Sequence, residues 1–254
     1  MRPRRLLPHS RRMTTLEITP DRRTVTPPYS NRIRTGLGLC LALAGVLNGG
    51  SQYVIELLTA DQAEFSDQFG WGLDHPVLHQ GEQFALVLSM LFLPLGLLAL
   101  AQVTRWHSPR LTAVATVLFL WGMWGFANVI SLGYAAGSVG PGAIGLDASV
   151  QLNDAFSEHA GVLVSALLPH LVGSFLGLLL LCIACWRSGV FPKVPLALLV
   201  AFLIWDFTLP SAGPLEPHLL LMVALVWLGV HLIRMPQRVW LGGSAAGPAP
   251  GSAY

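Results

Sequence analysis

The stretch that decides the fold is QFALVLSMLFLPLGLLALAQV, residues 83–103. It contains no charged side chain and is long enough to cross a bilayer, because a membrane helix needs about 20 mostly apolar residues at about 1.5 Å each. The polar segment LDHPVLHQGE (73–82) precedes it and the basic segment TRWHSPR (104–110) follows it. The stretch is therefore predicted to be a transmembrane helix with chemically different ends.

The composition of the whole chain agrees with this prediction. Of 254 residues, 53% are hydrophobic and 11% are charged, and the mean hydropathy is +0.59. Soluble domains carry about 25% charged residues. We therefore expect the lipid bilayer as the main partner. We expect no nucleic-acid partner.

Six segments have the length and composition of a transmembrane helix. The predicted fold is thus an all-α, polytopic integral membrane protein with one six-helix bundle over residues 36–233. The segments are 36–58, 83–103, 111–136, 161–185, 194–211 and 217–233. We expect the flanking residues 1–35 and 234–254 to be disordered cytoplasmic tails, because the first is rich in Arg, Pro and Thr and the second in Gly, Ala and Pro.

The basic residues predict the orientation of these helices. All fifteen Lys and Arg residues fall in the two tails or in the segments 104–110 and 186–193, which share one side in a six-span arrangement. The other connections carry only acidic charges. The positive-inside rule then places both termini in the cytoplasm. Fourteen of the fifteen basic residues are Arg, which is typical of a GC-rich bacterial genome, so we expect a bacterial inner (plasma) membrane.

Polar side chains within the predicted spans favour a cavity that opens outward. An unsatisfied polar group in hydrocarbon costs several kcal/mol, so such groups turn toward other helices or toward water. At 1.5 Å per residue, His170 lies about 14 Å deep and Asp206 lies about 12 Å below the outer surface. This common depth predicts an Asp–His pair. The side chains expected to line the cavity are Asn48, Gln52, Glu56, Asn128, His170 and Asp206.

An alternative site lies in the polar segment before the second span. His75, His79 and Glu82 are spaced i, i+4, i+7, which places them on one face if the segment is helical. Imidazole and carboxylate ligands suit zinc. The same residues are also typical of a helix start at the membrane surface, with Asp74 as cap and Pro76 in the first turn. We expect no resident cofactor, with zinc at this rim as the alternative.

Other features of the spans predict packing rather than chemistry. The pairs Gly45/Gly49 and Gly173/Gly177 favour close helix packing and also allow a homo-oligomer. Cys182 and Cys185 are interpreted as packing residues, because the cytoplasm is reducing. Four tryptophans within the spans are expected to pack between helices. They are Trp121, Trp124, Trp205 and Trp227.

These observations lead to a function hypothesis without a substrate. The sequence contains no Walker, HExxH or G-x-S-x-G motif. The leading hypothesis is a non-enzymatic membrane protein that binds or translocates a small solute or a proton through the polar cavity. A membrane metallo-enzyme with its site at the outer rim and a structural or regulatory membrane subunit are the alternatives.

Overall fold

The computed structural model describes residues 29–60, 65–208 and 216–243, and these ranges are helical without any strand. Five helices are long and apolar enough to cross a membrane: α1 (Asn31–Leu58), α3 (Pro76–Thr104), α4 (Pro109–Ile144), α6 (Ala160–Ser188) and α8 (Pro217–Arg234). The remaining helices are α2 (Phe65–Asp74), α5 (Leu146–Glu158), α7 (Lys193–Thr208) and α9 (Gln237–Trp240). The prediction of an all-α protein with apolar helices of membrane-spanning length is confirmed.

The sixth predicted span, 194–211, corresponds to α7. This helix has 16 residues and is therefore about 24 Å long, which is shorter than a typical bilayer crossing. Residues 209–211 of the predicted span lie outside the described residues.

The connections at the acidic side of the bundle are largely helical. α3 begins at Pro76 rather than near residue 83, because proline fits the first turn of a helix. α4 passes through a π-helical stretch, Ala135–Val139, and continues to Ile144 rather than ending at residue 136. The predicted connections 59–82 and 137–160 therefore contain α2, α5 and the ends of two long helices.

The helix α2 packs onto the bundle. Phe69 of α2 retains only 5% exposure. Its ring lies against Gly137 of α4, with Cε1 3.0 Å from the place where a Cβ would stand. α2 thus covers one end of the bundle.

Close glycine contacts occur at the helix crossings, both at the predicted Gly49 and Gly173 and at Gly122 and Gly125, which were not predicted. A Cβ on Gly49 of α1 would lie 2.7 Å from the His218 carbonyl oxygen of α8. At the crossing of α4 and α6, a Cβ on Gly122 would lie 2.1 Å from the Ser174 nitrogen, and one on Gly125 would lie 2.3 Å from the His170 nitrogen. These contacts bring His218 and His170 close to their neighbouring helices.

The long helices α1 and α3 run antiparallel to each other, and so do α4 and α6. Gly96 of α3 meets Leu41 of α1, whereas Ser89 earlier in α3 bonds Asn48 later in α1. As a result, the charges of the described residues separate toward two ends of the bundle. The basic end carries Arg32, Arg34, Arg105, Arg110, Arg187, Lys193, Arg234 and Arg238, and the acidic end carries Glu56, Asp67, Asp74, Glu82, Asp147, Asp154, Glu158, Asp206 and Glu216.

The beginning of the C-terminal tail is folded, which corrects the prediction of disorder from residue 234. α9 follows α8 after a short break, and Met235, Val239 and Trp240 retain at most 5% exposure in the main core. Arg34 of α1 donates a hydrogen bond to the Met235 carbonyl oxygen. Residues 1–28 and 244–254 of the predicted tails lie outside the described residues.

The prediction for the tryptophans within the spans is wrong for three of them. Trp121, Trp124 and Trp227 are 40%, 65% and 45% exposed, so their rings lie on the outside of the bundle. Periodicity alone did not separate these positions from interior ones, because apolar residues surround every face of a membrane helix.

Candidate functional site: a polar and aromatic cavity in the bundle

A cavity of about 250 Å³ lies among the helices in the acidic half of the bundle. All five long helices and α7 contribute to its wall. The polar lining residues are Asn48, Gln52, His170, Ser174, Asp206 and His218, and the aromatic ones are Phe126, Phe202 and Phe207. We call it the central cavity.

Asp206, Glu216 and His218 form a carboxylate–imidazole–carboxylate cluster beside this cavity. Glu216 caps α8 by accepting a hydrogen bond from the His218 backbone N–H at 3.0 Å. The same carboxylate oxygen lies 2.8 Å from His218 Nδ1, so the ring donates Nδ1–H to it. The other ring nitrogen, Nε2, lies 3.7 Å from Asp206 Oδ1. One imidazole is therefore held between two carboxylates.

The local sequence explains how this cluster is built. Pro217 begins α8 and Glu216 precedes it as the cap, so the proline lies at the first helical position, where it is favoured. The cap directs the Glu216 carboxylate at the first turn, where His218 lies. The side chains of Glu216 and His218 are 3% and 11% exposed, whereas that of Asp206 is 28% exposed. Asp206 is thus the carboxylate of the pair that a ligand or water can reach.

The predicted pair of Asp206 with His170 is not formed. Both residues line the central cavity, but the ionic partner of Asp206 is His218. His170 stacks on Phe126 at 4.6 Å between ring centroids, and its Nδ1 lies 3.3 Å from Ser174 Oγ. The depth estimate placed these groups at one level, but it held no information on the rotation of each helix.

The three residues of α1 that were predicted to line one cavity, Asn48, Gln52 and Glu56, are divided between two cavities. Gln52 donates from Nε2 to Asn48 Oδ1 at 3.1 Å, and Asn48 donates from Nδ2 to Ser89 Oγ at 3.2 Å. Asn48 and Gln52 line the central cavity. Glu56, one turn further, lines a second cavity instead.

The second cavity, of about 190 Å³, lies beneath α2, and we call it the rim cavity. Gln52 lines both cavities, so its amide stands between them. The other polar residues of the rim cavity are Glu56, Thr59, Gln68, His79, Glu82 and Gln83. The two cavities together form a polar region that runs from the middle of the bundle to its acidic end.

Asn128 lines neither cavity. Its Nδ2 donates to the Trp124 carbonyl oxygen of the same helix at 3.0 Å, and it is absent from the walls of both. The amide nitrogen of Asn128 therefore has its partner within α4. The structure does not place Asn128 with the other residues that were predicted to line a cavity.

The proposed zinc ligands each have a different neighbour. His75 precedes α3 and stacks on Trp71 of α2 at 4.5 Å. His79 Nε2 is hydrogen-bonded to Ser138 Oγ at 2.9 Å, and Glu82 accepts from Gln83 at 2.8 Å. Within the described residues, no group of three or more His, Cys, Asp or Glu side chains is arranged to hold a metal ion.

Several residues of the site were not predicted to belong to it. His218, Glu216 and the aromatic residues Phe126, Phe202 and Phe207 were not among the residues predicted to line the cavity. The run Glu216-Pro217-His218 did contain a signal, since a capping carboxylate followed by proline marks the first turn of a helix.

Neither a family model, a curated protein nor a solved structure matches this chain.

Proposed function

We propose that this protein is a non-enzymatic, multi-pass protein of the bacterial inner membrane that binds or translocates a small solute or a proton. The proposal takes α7 as the sixth span, both termini as cytoplasmic, and the acidic end as the outer side. The ligand enters through the rim cavity and reaches the central cavity past Gln52.

The separation of charges supports this orientation. Every Lys and Arg of the described residues lies at the end of the bundle that carries residues 29 and 243 and the short connections. Positive residues are retained on the cytoplasmic side of bacterial membranes. The acidic end, with both cavities nearest to it, then faces outward.

The central cavity is the observation that carries the functional proposal. Ionisable residues within a membrane bundle are costly, and each is by default a candidate for an ion or substrate pathway. Here Asp206, His218 and His170 converge from three different helices on one cavity. The space of about 250 Å³ between these groups supports the proposal, because it is large enough for water or a small ligand.

Water access to the cavity tests the proposal. In a variant with Cys40, Cys182 and Cys185 replaced by Ala, we introduce Gln52→Cys and treat intact cells with a charged, membrane-impermeant thiol reagent. Because thiolates react in water and not in hydrocarbon, we expect labelling of Gln52→Cys from outside.

The matched control is Val46→Cys on the same helix. Val46 is 51% exposed on the outside of the bundle, where lipid would surround it, so it should remain unlabelled. If Gln52→Cys resists the reagent as completely as Val46→Cys does, the outward-opening cavity is refuted.

A further inference from the structure

We propose that the ligand of the central cavity is a small organic cation of the amine or quaternary ammonium class. This inference rests on the proposed function and names the chemistry of its ligand. It combines the charge of the cavity with the nature of its wall.

The first argument is the charge around the cavity. Asp206 lines it and Glu216 lies directly behind His218. When both carboxylates are ionised, the cluster carries one net negative charge with His218 protonated and two with a neutral imidazole. In the described residues, no Lys or Arg lies in this half of the bundle. A bound cation therefore compensates the negative charge beside the cavity, whereas this charge repels an anion.

The second argument is the aromatic wall. Phe126 and Phe207 both lie next to His170, with ring centroids 4.6 and 5.7 Å from the imidazole. Phe202 approaches His218 edge-on at 5.6 Å. Aromatic faces attract cations through their quadrupole, and this interaction strengthens where water is excluded.

The third argument favours an organic cation over calcium or magnesium. Calcium and magnesium take six or more oxygen ligands, whereas most of the wall here is hydrocarbon. The aliphatic lining residues are Leu93, Leu97, Met123, Leu178, Leu199, Leu203, Leu221 and Leu225. Alkyl groups on a nitrogen cation can contact such a wall and still leave the charge beside Asp206. The volume of about 250 Å³ limits the ligand to a small molecule.

The experiment compares two probes of equal shape and different charge. Choline and its neutral carbon isostere, 3,3-dimethylbutan-1-ol, are titrated calorimetrically into the full chain purified in detergent. We expect choline to bind at least about tenfold more tightly than the isostere, because it gains both the carboxylate and the cation–π contacts.

Two variants locate the binding. Asp206→Asn preserves the shape of the side chain and should weaken choline binding about tenfold or more. Phe207→Leu should weaken choline but not the isostere. Asp147→Asn removes an exposed carboxylate of α5 and should change neither probe. Should a variant fail to fold, the comparison of the two probes on the unmodified chain still decides the question.

The outcomes distinguish this inference from the proposed function. Equal binding of both probes, or choline binding that survives Asp206→Asn, overturns the cation assignment and leaves a solute cavity in place. Absence of choline binding together with labelled Gln52→Cys also overturns only the cation assignment. Unlabelled Gln52→Cys refutes the cavity itself.

Discussion

At the scale of single residues, Glu216 does more for the site than its position before a helix indicates. One carboxylate oxygen accepts from the backbone N–H of His218 and from its ring Nδ1. It therefore starts α8 and sets the direction in which His218 Nε2 points. Asp206 is the carboxylate that lines the central cavity, and Glu216 is the carboxylate that orients the His218 ring.

Replacing Glu216 tests this double role. We expect Glu216→Ala to lower the free energy of unfolding by about 1–3 kcal/mol, because it removes a cap and leaves a buried imidazole donor unpaired. Unfolding in mixed micelles measures the loss. The exposed carboxylate of Glu158 at the end of α5 provides the control, since Glu158→Ala should alter stability by less than about 0.5 kcal/mol. Equal effects of the two substitutions would contradict the role assigned to Glu216.

At the scale of elements, the crossing of α4 and α6 places one wall of the central cavity. Gly122 and Gly125 allow the backbone of α6 to touch α4, and this contact brings His170 over the Phe126 ring. Small residues have this role in membrane bundles because close backbone approach supplies the packing that the hydrophobic effect supplies in water.

Two substitutions within α4 separate packing from helix propensity. A Cβ on Gly122 would lie 2.1 Å from the Ser174 nitrogen, whereas a Cβ on Gly133 would meet nothing within 4 Å. We expect Gly122→Ala to destabilise the protein by about 1–3 kcal/mol or more. Gly133→Ala should be neutral or stabilise it by about 0.5–1 kcal/mol. Thermal unfolding in detergent compares them, and similar melting temperatures for both variants would argue against the close crossing.

At the scale of the whole molecule, the charged residues and the two cavities are distributed unequally between the two ends of the bundle. The basic residues of the described chain gather at one end, and the acidic residues and both cavities lie toward the other. If the basic end lies in the cytoplasm, as proposed, the end nearest to the two cavities faces outward, where the ligand is expected to enter.

Reporter fusions test the orientation. We expect alkaline phosphatase, which is active only outside the cytoplasm, to be active when fused after Ser211 and inactive when fused after Gly243. A fluorescent protein that matures only in the cytoplasm should give the reverse pattern. The physical reason is the attraction that retains basic segments on the cytoplasmic side. Activity of alkaline phosphatase at Gly243 would show that the orientation is inverted.

The sequence by itself determined the class of protein and the set of apolar helices, because both depend on local composition and on length along one axis. It also placed His170, Asp206, Asn48 and Gln52 in one region, because depth follows from counting residues. The partner of Asp206 depended on helix rotation, and the glycine crossings together with the cap at Glu216 selected His218 over His170. The folding of α2 over the rim was likewise a tertiary result, because Phe69 becomes buried only when Gly137 of a distant helix offers the space.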